Sequence, residues 1–172
     1  ILTNSDLEKI RAISDIADSH FQSRTLDTTF HSGLGAAGLE QVLDELCGRA
    51  EAAVREGVNI IILSDRMTGS DRVPIPVLLA CAAVHHHLIR VGLRTSVGLV
   101  IESGEPREVH HFACLAGYGA EAINPYLAFE TLAAMAEDFP EEVDEDEVVK
   151  RFIKSIGKGL LKVMSKMGIS TY

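Results

Sequence analysis

The sequence is short of cysteine, of long apolar runs and of any basic stripe across its main body, and each shortage removes a class of protein. Its 172 residues hold three cysteines, Cys47, Cys81 and Cys114. An odd number of widely spaced thiols does not build a disulfide framework and suits a reducing compartment. No apolar stretch approaches the roughly 20 residues of a membrane-spanning helix. Nor does the chain open on a basic-then-apolar targeting pattern, so no membrane partner is expected. The net charge is −9, yet eight acidic residues lie between Glu137 and Glu147, and residues 148–172 carry six basic residues and no acid. The remainder is nearly balanced. A nucleic-acid surface needs a basic stripe interleaved with aromatics on the main body. Here the basic stripe is confined to one terminal segment with a single Phe, so no nucleic-acid partner is expected.

What is present is a regular alternation. Residues 58–63 and 96–101 are apolar runs, and 120–123 is a shorter third, the pattern of strands buried on both faces. Between them lie 75–91 and 107–118, too long for strands and opened by Pro74, Pro76 and Pro106, residues suited to a helix's first turn. Strand, helix, strand, helix, strand implies right-handed crossovers and a parallel sheet. A length of 172 residues suits one domain that buries roughly 70% of its unfolded surface. The chain begins at Ile1 without an initiator Met and stops at Gly168-Ile169-Ser170-Thr171-Tyr172, a strand-like beginning, so it reads as a piece of a longer protein.

Thr3, Asn4, Ser5 and Asp6 offer caps for a helix whose apolar set is Leu7, Ile10, Ile13 and Ile16. Residues 25–30 read as an edge or entry strand, too polar for the sheet centre. A helix is expected over 39–56, closed by Gly57, another over 129–139, an acidic connection from Pro140, and a long helix from Asp144. Along that last helix Lys150, Lys154, Lys158, Lys162 and Lys166 recur every fourth residue, with Phe152, Ile153, Ile156, Leu160, Val163 and Met167 on the buried side. Gly157 and Gly159 either weaken its middle or admit another backbone.

Three features invite a chemical reading. Gly33-Leu34-Gly35-Ala36-Ala37-Gly38 matches the dinucleotide fingerprint G-x-G-x-x-G, but the preceding residues are polar and Asp65, the nearest acid after a strand, lies too far on. A dinucleotide-binding oxidoreductase is therefore the alternative reading. Adjacent histidines in His85-His86-His87 and His110-His111 point about 100° apart on a helix and cannot close on one ion, so no metal is assigned; their rings are expected to bond neighbouring loops. The cysteines fall one per helix and read as small packing residues. The third feature is the set of polar loops at the carboxyl ends of the strands, where ligands sit in parallel α/β folds. These loops present Asp65, Arg66, Glu102, Ser103, Asn124 and Tyr126 on one rim.

Long ordered matches across nearly the whole chain carry a resemblance. They are Ile61-Ile62-Leu63-Ser64-Asp65-Arg66, Ile75-Pro76-Val77-Leu78-Leu79-Ala80, His85-His86-His87-Leu88-Ile89-Arg90, the run 102–111, Gly117-Tyr118-Gly119-Ala120, Ile123-Asn124-Pro125-Tyr126 and the run 157–171. Together these resemble the large subunit of glutamate synthase, in the central domain that leads into its FMN-binding domain. The resemblance implies an incomplete TIM-barrel-like (β/α) domain over 1–143 and a connecting helix over 144–172. It implies an enzyme that makes L-glutamate from glutamine and 2-oxoglutarate, with FMN and an iron–sulfur cluster held elsewhere in the subunit. The catalytic cysteine, the cluster cysteines and the flavin barrel all lie outside this stretch, so no catalytic residue, cofactor or metal is assigned within it. The implied partners are the glutaminase and FMN-binding domains of the same chain, and an electron-donor subunit or ferredoxin. The implied compartment is the cytoplasm, or a plastid in a plant. Ser64, Asp65, Arg66, Glu102, Ser103, Asn124 and Tyr126 become candidates for lining an ammonia tunnel or coupling the two active sites. Lys162 and Lys166 become candidates for contacting the flavin domain.

Overall fold

The computed structural model describes residues 1–16, 18–136 and 144–172. The two strongest apolar runs form neighbouring central strands, β3 (Ile60–Ser64) and β5 (Gly98–Glu102). The sheet runs β1 (Ser23–Asp27), β3, β5, β6 (Ala122–Asn124), with every pair parallel. A spatial order that follows the chain order is what repeated right-handed crossovers produce when each passes over the same face, and it is the winding of an α/β barrel. With four strands the sheet stays open, in keeping with an incomplete barrel-like α/β domain.

The crossovers are α2 (Gly35–Arg55), α3 (Val77–Arg90) and α4 (Val109–Gly117). One face of the sheet meets them. Leu26, Ile61, Leu63, Leu99, Ile101 and Ile123 join Leu46, Ala50, Ala80, Val84 and Phe112 in the main core. Strand residues of opposite parity point to the other face, where the smaller cluster of Leu7, Ile62 and Val100 lies. Leu7 belongs to α1 (Asn4–Arg11), whose start carries a capping box between Thr3 and Asp6. The first helix therefore covers the side of the sheet that faces inward in a closed barrel.

Some boundaries differ from the sequence reading, each for a local reason. The expected first helix ends at Arg11, and Ile13–Asp15 forms a 3₁₀ turn that leaves Ile16 exposed. The expected strand over 25–30 is two strands. After Asp27 the Thr28 amide donates to the Ser64 carbonyl, and β2 (Thr29–His31) turns away to pair antiparallel with β4 (Arg72–Pro74). The helix expected from Leu39 starts at Gly35. That expected over 129–139 begins at Tyr126 as α5 (Tyr126–Ala134), and its expected end and the acidic connection lie outside the described residues, as does the 143/144 boundary.

The long helix α6 (Glu145–Met167) begins where expected, with the Asp144 side chain accepting from the Glu147 amide. It packs on α4 and α5. Val148 and Ile156 are buried there, whereas Met167, expected on the buried side, is 68% exposed. Gly159 is a point of close approach: a Cβ there overlaps Val109 at the start of α4, while the space beside Gly157 is open.

Candidate functional site

Register brings four polar side chains into one row. Asp27 pairs with Ser64, Ser64 with Glu102, and Glu102 with Asn124. These are the last residues of the four strands. By parity their side chains share the face of Ile62 and Val100, away from the crossover helices. In a barrel enzyme this layer carries the chemistry. Here Ser64, Glu102 and Asn124 are buried, and a buried charge is tolerable only when paired and hydrogen-bonded.

Glu102 receives three donors. The Ser64 hydroxyl donates to Oε2 at 2.5 Å, the Arg11 guanidinium donates to the same oxygen at 3.0 Å, and Arg66 Nε donates to Oε1 at 3.3 Å. Arg11 reaches the row because α1 lies across this face and ends there. Burial pulls its pKa down, but the bonds to Glu102 and Glu8 outweigh that and hold it above the ordinary value. Arg66 also bonds Glu130 on α5 at 2.7 Å. At the outer end of the row Asp27 accepts from Arg72 at 2.6 Å and from the Thr29 amide and hydroxyl. Each carboxylate of the row is thus neutralised by an arginine.

A second layer stands on the first. Asp65, buried, accepts from the Ser103 hydroxyl at 2.5 Å, the Tyr126 hydroxyl at 2.8 Å and the Gly104 amide at 3.1 Å. Burial first, and then the bond to Asp65, push the Tyr126 phenol well above its ordinary range, so it remains a donor. Arg66 stacks over the Tyr126 ring at 4.0 Å and ties the two layers together. Of the rim residues read from the sequence, Ser64, Asp65, Arg66, Glu102, Ser103 and Tyr126 form one bonded cluster. Asn124 belongs to the row by register, but its amide turns to α1, donating to the Leu2 carbonyl at 3.1 Å and to Asn4 Oδ1 at 2.9 Å. Its own Oδ1 is buried without a hydrogen-bond partner among the described residues. Lys162 and Lys166 lie elsewhere, exposed along α6.

Arg11, Asp27, Arg72 and Glu130 were not singled out from the sequence. Asp27 was recoverable as the last residue of a strand in register with Ser64. Arg11 was not, because nothing local reveals that α1 crosses the inner face.

The glycine fingerprint does not form a nucleotide cradle. It follows β2, a three-residue strand of the separate antiparallel pair. Gly33 sits in a 3₁₀ turn, Gly35 opens α2 at φ +61°, and Gly38 lies inside α2, where a Cβ runs into Leu34. Its glycines serve the tight entry into α2. Neither FMN nor an iron–sulfur cluster fits the residues present. The Gly104 amide, at the strand end where a phosphate is commonly held, already donates to Asp65, and the rim is lined with carboxylates. Cys47, Cys81 and Cys114 sit on three different helices, and no group of three or more His, Cys, Asp or Glu gathers among the described residues. Burial pushes the Cys81 thiol up to about 11. Cys114, expected to be buried, is only half-buried. Of the clustered histidines, His85 accepts from Arg94 at 2.9 Å in the turn after α3 and His111 accepts from the Arg107 amide, whereas His87 meets Glu51 at 2.8 Å, which lies on helix α2 and not on a loop.

Comparison with known proteins agrees with this architecture. The family model for the glutamate synthase central domain matches residues 1–172. The glutamate synthase [NADPH] large chain of Bacillus subtilis is 46% identical over 164 residues, covering 95% of this chain and 10% of the relative. Glutamate synthase [NADH] of Schizosaccharomyces pombe is 42% identical over 173 residues, covering 99% and 8%. The chloroplastic ferredoxin-dependent glutamate synthase of Oryza sativa subsp. japonica is 39% identical over 183 residues, covering 99% and 11%. The chain spans about a tenth of the length of these relatives. No helix among the described residues is long and apolar enough to cross a membrane. On the family match over its full length and these identities, the chain belongs to the glutamate synthase central domain family.

Proposed function

We propose that this chain serves, within a glutamate synthase large subunit, as a non-catalytic central domain joining a glutaminase site to an FMN site and shaping the route by which ammonia passes between them. The parent activity is the formation of L-glutamate from glutamine and 2-oxoglutarate by reductive amidotransfer. FMN, the iron–sulfur cluster and the catalytic cysteine belong to other parts of that chain. Residues 1–143 form the body of the domain and 144–172 the connection to the flavin-binding part. Its partners are those two domains and an electron-donor subunit or ferredoxin, in the cytoplasm or, in a plant, a plastid.

The observation that carries this reading is the strand-end row with its arginines. Ammonia in bulk water is protonated and loses its nucleophilicity, so transfer needs a passage that excludes water and supplies no spare proton. A row whose carboxylates are each tied to an arginine is cross-linked and therefore rigid, and its polar groups are occupied by one another. Asn124 Oδ1, buried and without a hydrogen-bond partner among the described residues, is an acceptor suited to an N–H group. Lys162 and Lys166, exposed on α6, are the candidates for contact with the flavin-binding part.

The test is a pair of assays on the parent enzyme. In Asp65→Ala and Glu102→Ala, glutamine-dependent glutamate synthesis is expected to fall more than glutamine hydrolysis. Equal loss of both, or no loss of either, sinks the proposal. A variant that changes melting temperature alone assigns the row to stability.

A further inference from the structure

The N-terminal segment ties together the two edge strands of the open sheet. At its start the Leu2 amide donates to the Ile123 carbonyl on β6 at 2.8 Å, and the Asn124 side chain donates back to the Leu2 carbonyl and to Asn4. At its end the Ser23 hydroxyl, on the opposite edge strand β1, donates to the Arg11 carbonyl at 2.9 Å. Between these ends Leu7 is buried on Ile62 and Val100. A helix of eight residues is about 12 Å long and four strands are about 14 Å from edge to edge, so α1 matches the width it crosses.

Arg11 ends this strap, and its guanidinium points three ways. Nη1 donates to the Thr25 hydroxyl at 2.5 Å, Nη2 to Glu102 Oε2 at 3.0 Å, and Nε to Glu8 within α1 at 3.2 Å. One planar fork thereby fixes the helix end, the edge strand and the buried carboxylate relative to one another. A lysine ammonium is a compact charge on a flexible stem and has no such fork. Glu102 Oε2 is also the acceptor of the Ser64 hydroxyl, so where that carboxylate sits decides where Ser64 points.

We infer that Arg11 is a positioning residue for the strand-end row, acting through Glu102, and that α1 is the strap that holds it in place. The inference rests on the role proposed above for that row. Without the guanidinium, Glu102 is left to Arg66 and Ser64 alone, and nothing ties the carboxylate to the far edge of the sheet. The row keeps its residues and loses its shape.

The experiment measures glutamine-dependent glutamate synthesis against glutamine hydrolysis in the parent enzyme, as a ratio that mere loss of folded enzyme does not change. Arg11→Met, which keeps the apolar stem, is expected to lower that ratio at least about fivefold. Arg11→Lys, which keeps the charge without the fork, is expected to lower it at least about threefold. Thr25→Val removes one anchor of the fork at an exposed position and is expected to lower it about threefold, which keeps the test decisive if Arg11→Met does not fold. In a Glu102→Ala background Arg11→Met is expected to change the ratio less than about twofold, because the two residues act at one point. If Glu102→Ala lowers the ratio while the Arg11 and Thr25 variants leave it unchanged, the inference is overturned and the row's role stands. An unchanged ratio in Glu102→Ala removes both. Full rescue by Arg11→Lys, or an undiminished effect of Arg11→Met without Glu102, also overturns the inference.

Discussion

Gly157 and Gly159 stand two residues apart in α6, and replacing each by alanine is expected to change stability in opposite directions. In a helix interior alanine is favoured over glycine by about 1 kcal/mol, because glycine loses more backbone freedom on folding. Nothing lies within 4 Å of a Cβ added at Gly157, so Gly157→Ala keeps that gain of about 1 kcal/mol. At Gly159 the added carbon overlaps Val109 Cγ2 and lies 2.9 Å from Cγ1 and 3.1 Å from Cβ. Turning the Val109 side chain cannot relieve all of this, since its Cβ is fixed to the backbone at the first turn of α4. The helices must separate. Overpacking of this kind costs about 1 to 3 kcal/mol, and an overlap this close belongs at the upper end, so a net loss of about 2 kcal/mol remains after the propensity gain. The two variants should differ by roughly 3 kcal/mol, or about 6 to 12 °C in melting temperature for a chain of this size. Urea unfolding of the two variants and the parent chain, with the slope checked for constancy, measures this. If Gly159→Ala is as stable as Gly157→Ala, the α4–α6 packing described above is wrong.

Further outcomes follow from the same structure. His85 accepts from Arg94 Nε and is held neutral: burial first, then the charges of Arg94 and His86, lower its pKa below 6.5. The unfolded chain then binds the proton more readily, so the stability this ring contributes is complete above pH 6.5 and is lost as pH falls below it; His85→Phe should flatten that part of a stability–pH profile. Glu102→Ala leaves Arg11 and the Ser64 hydroxyl facing a buried gap and should cost about 3 kcal/mol in urea unfolding, whereas a loss under about 1 kcal/mol would mean that the cluster is solvated. Tyr126→Phe keeps the ring beneath Arg66 and removes the bond to Asp65, for an expected loss of about 1 kcal/mol.

The sequence by itself determined the parallel α/β architecture, because continuous apolar runs separated by helix-length segments have no other economical packing. It also determined which strand-end loops hold the polar residues, since a residue's place at the end of a strand is a local property. Asp65, Arg66, Glu102, Ser103, Asn124 and Tyr126 were found in that way, and Ser64 joined them through the family resemblance. The tertiary structure alone decided how those residues are used. The row from Asp27 to Asn124 exists only once the register between strands is set, and the arginines that neutralise it come from α1, from the loop after β3 and from β4. Residues 11 and 102 meet because α1 folds back across the inner face of the sheet, driven by burial of Leu7 on Ile62 and Val100. The glycine fingerprint fails for the same reason. Glycines open a tight turn wherever they stand, and only the strand before them, here β2 outside the main sheet, decides whether that turn faces a ligand.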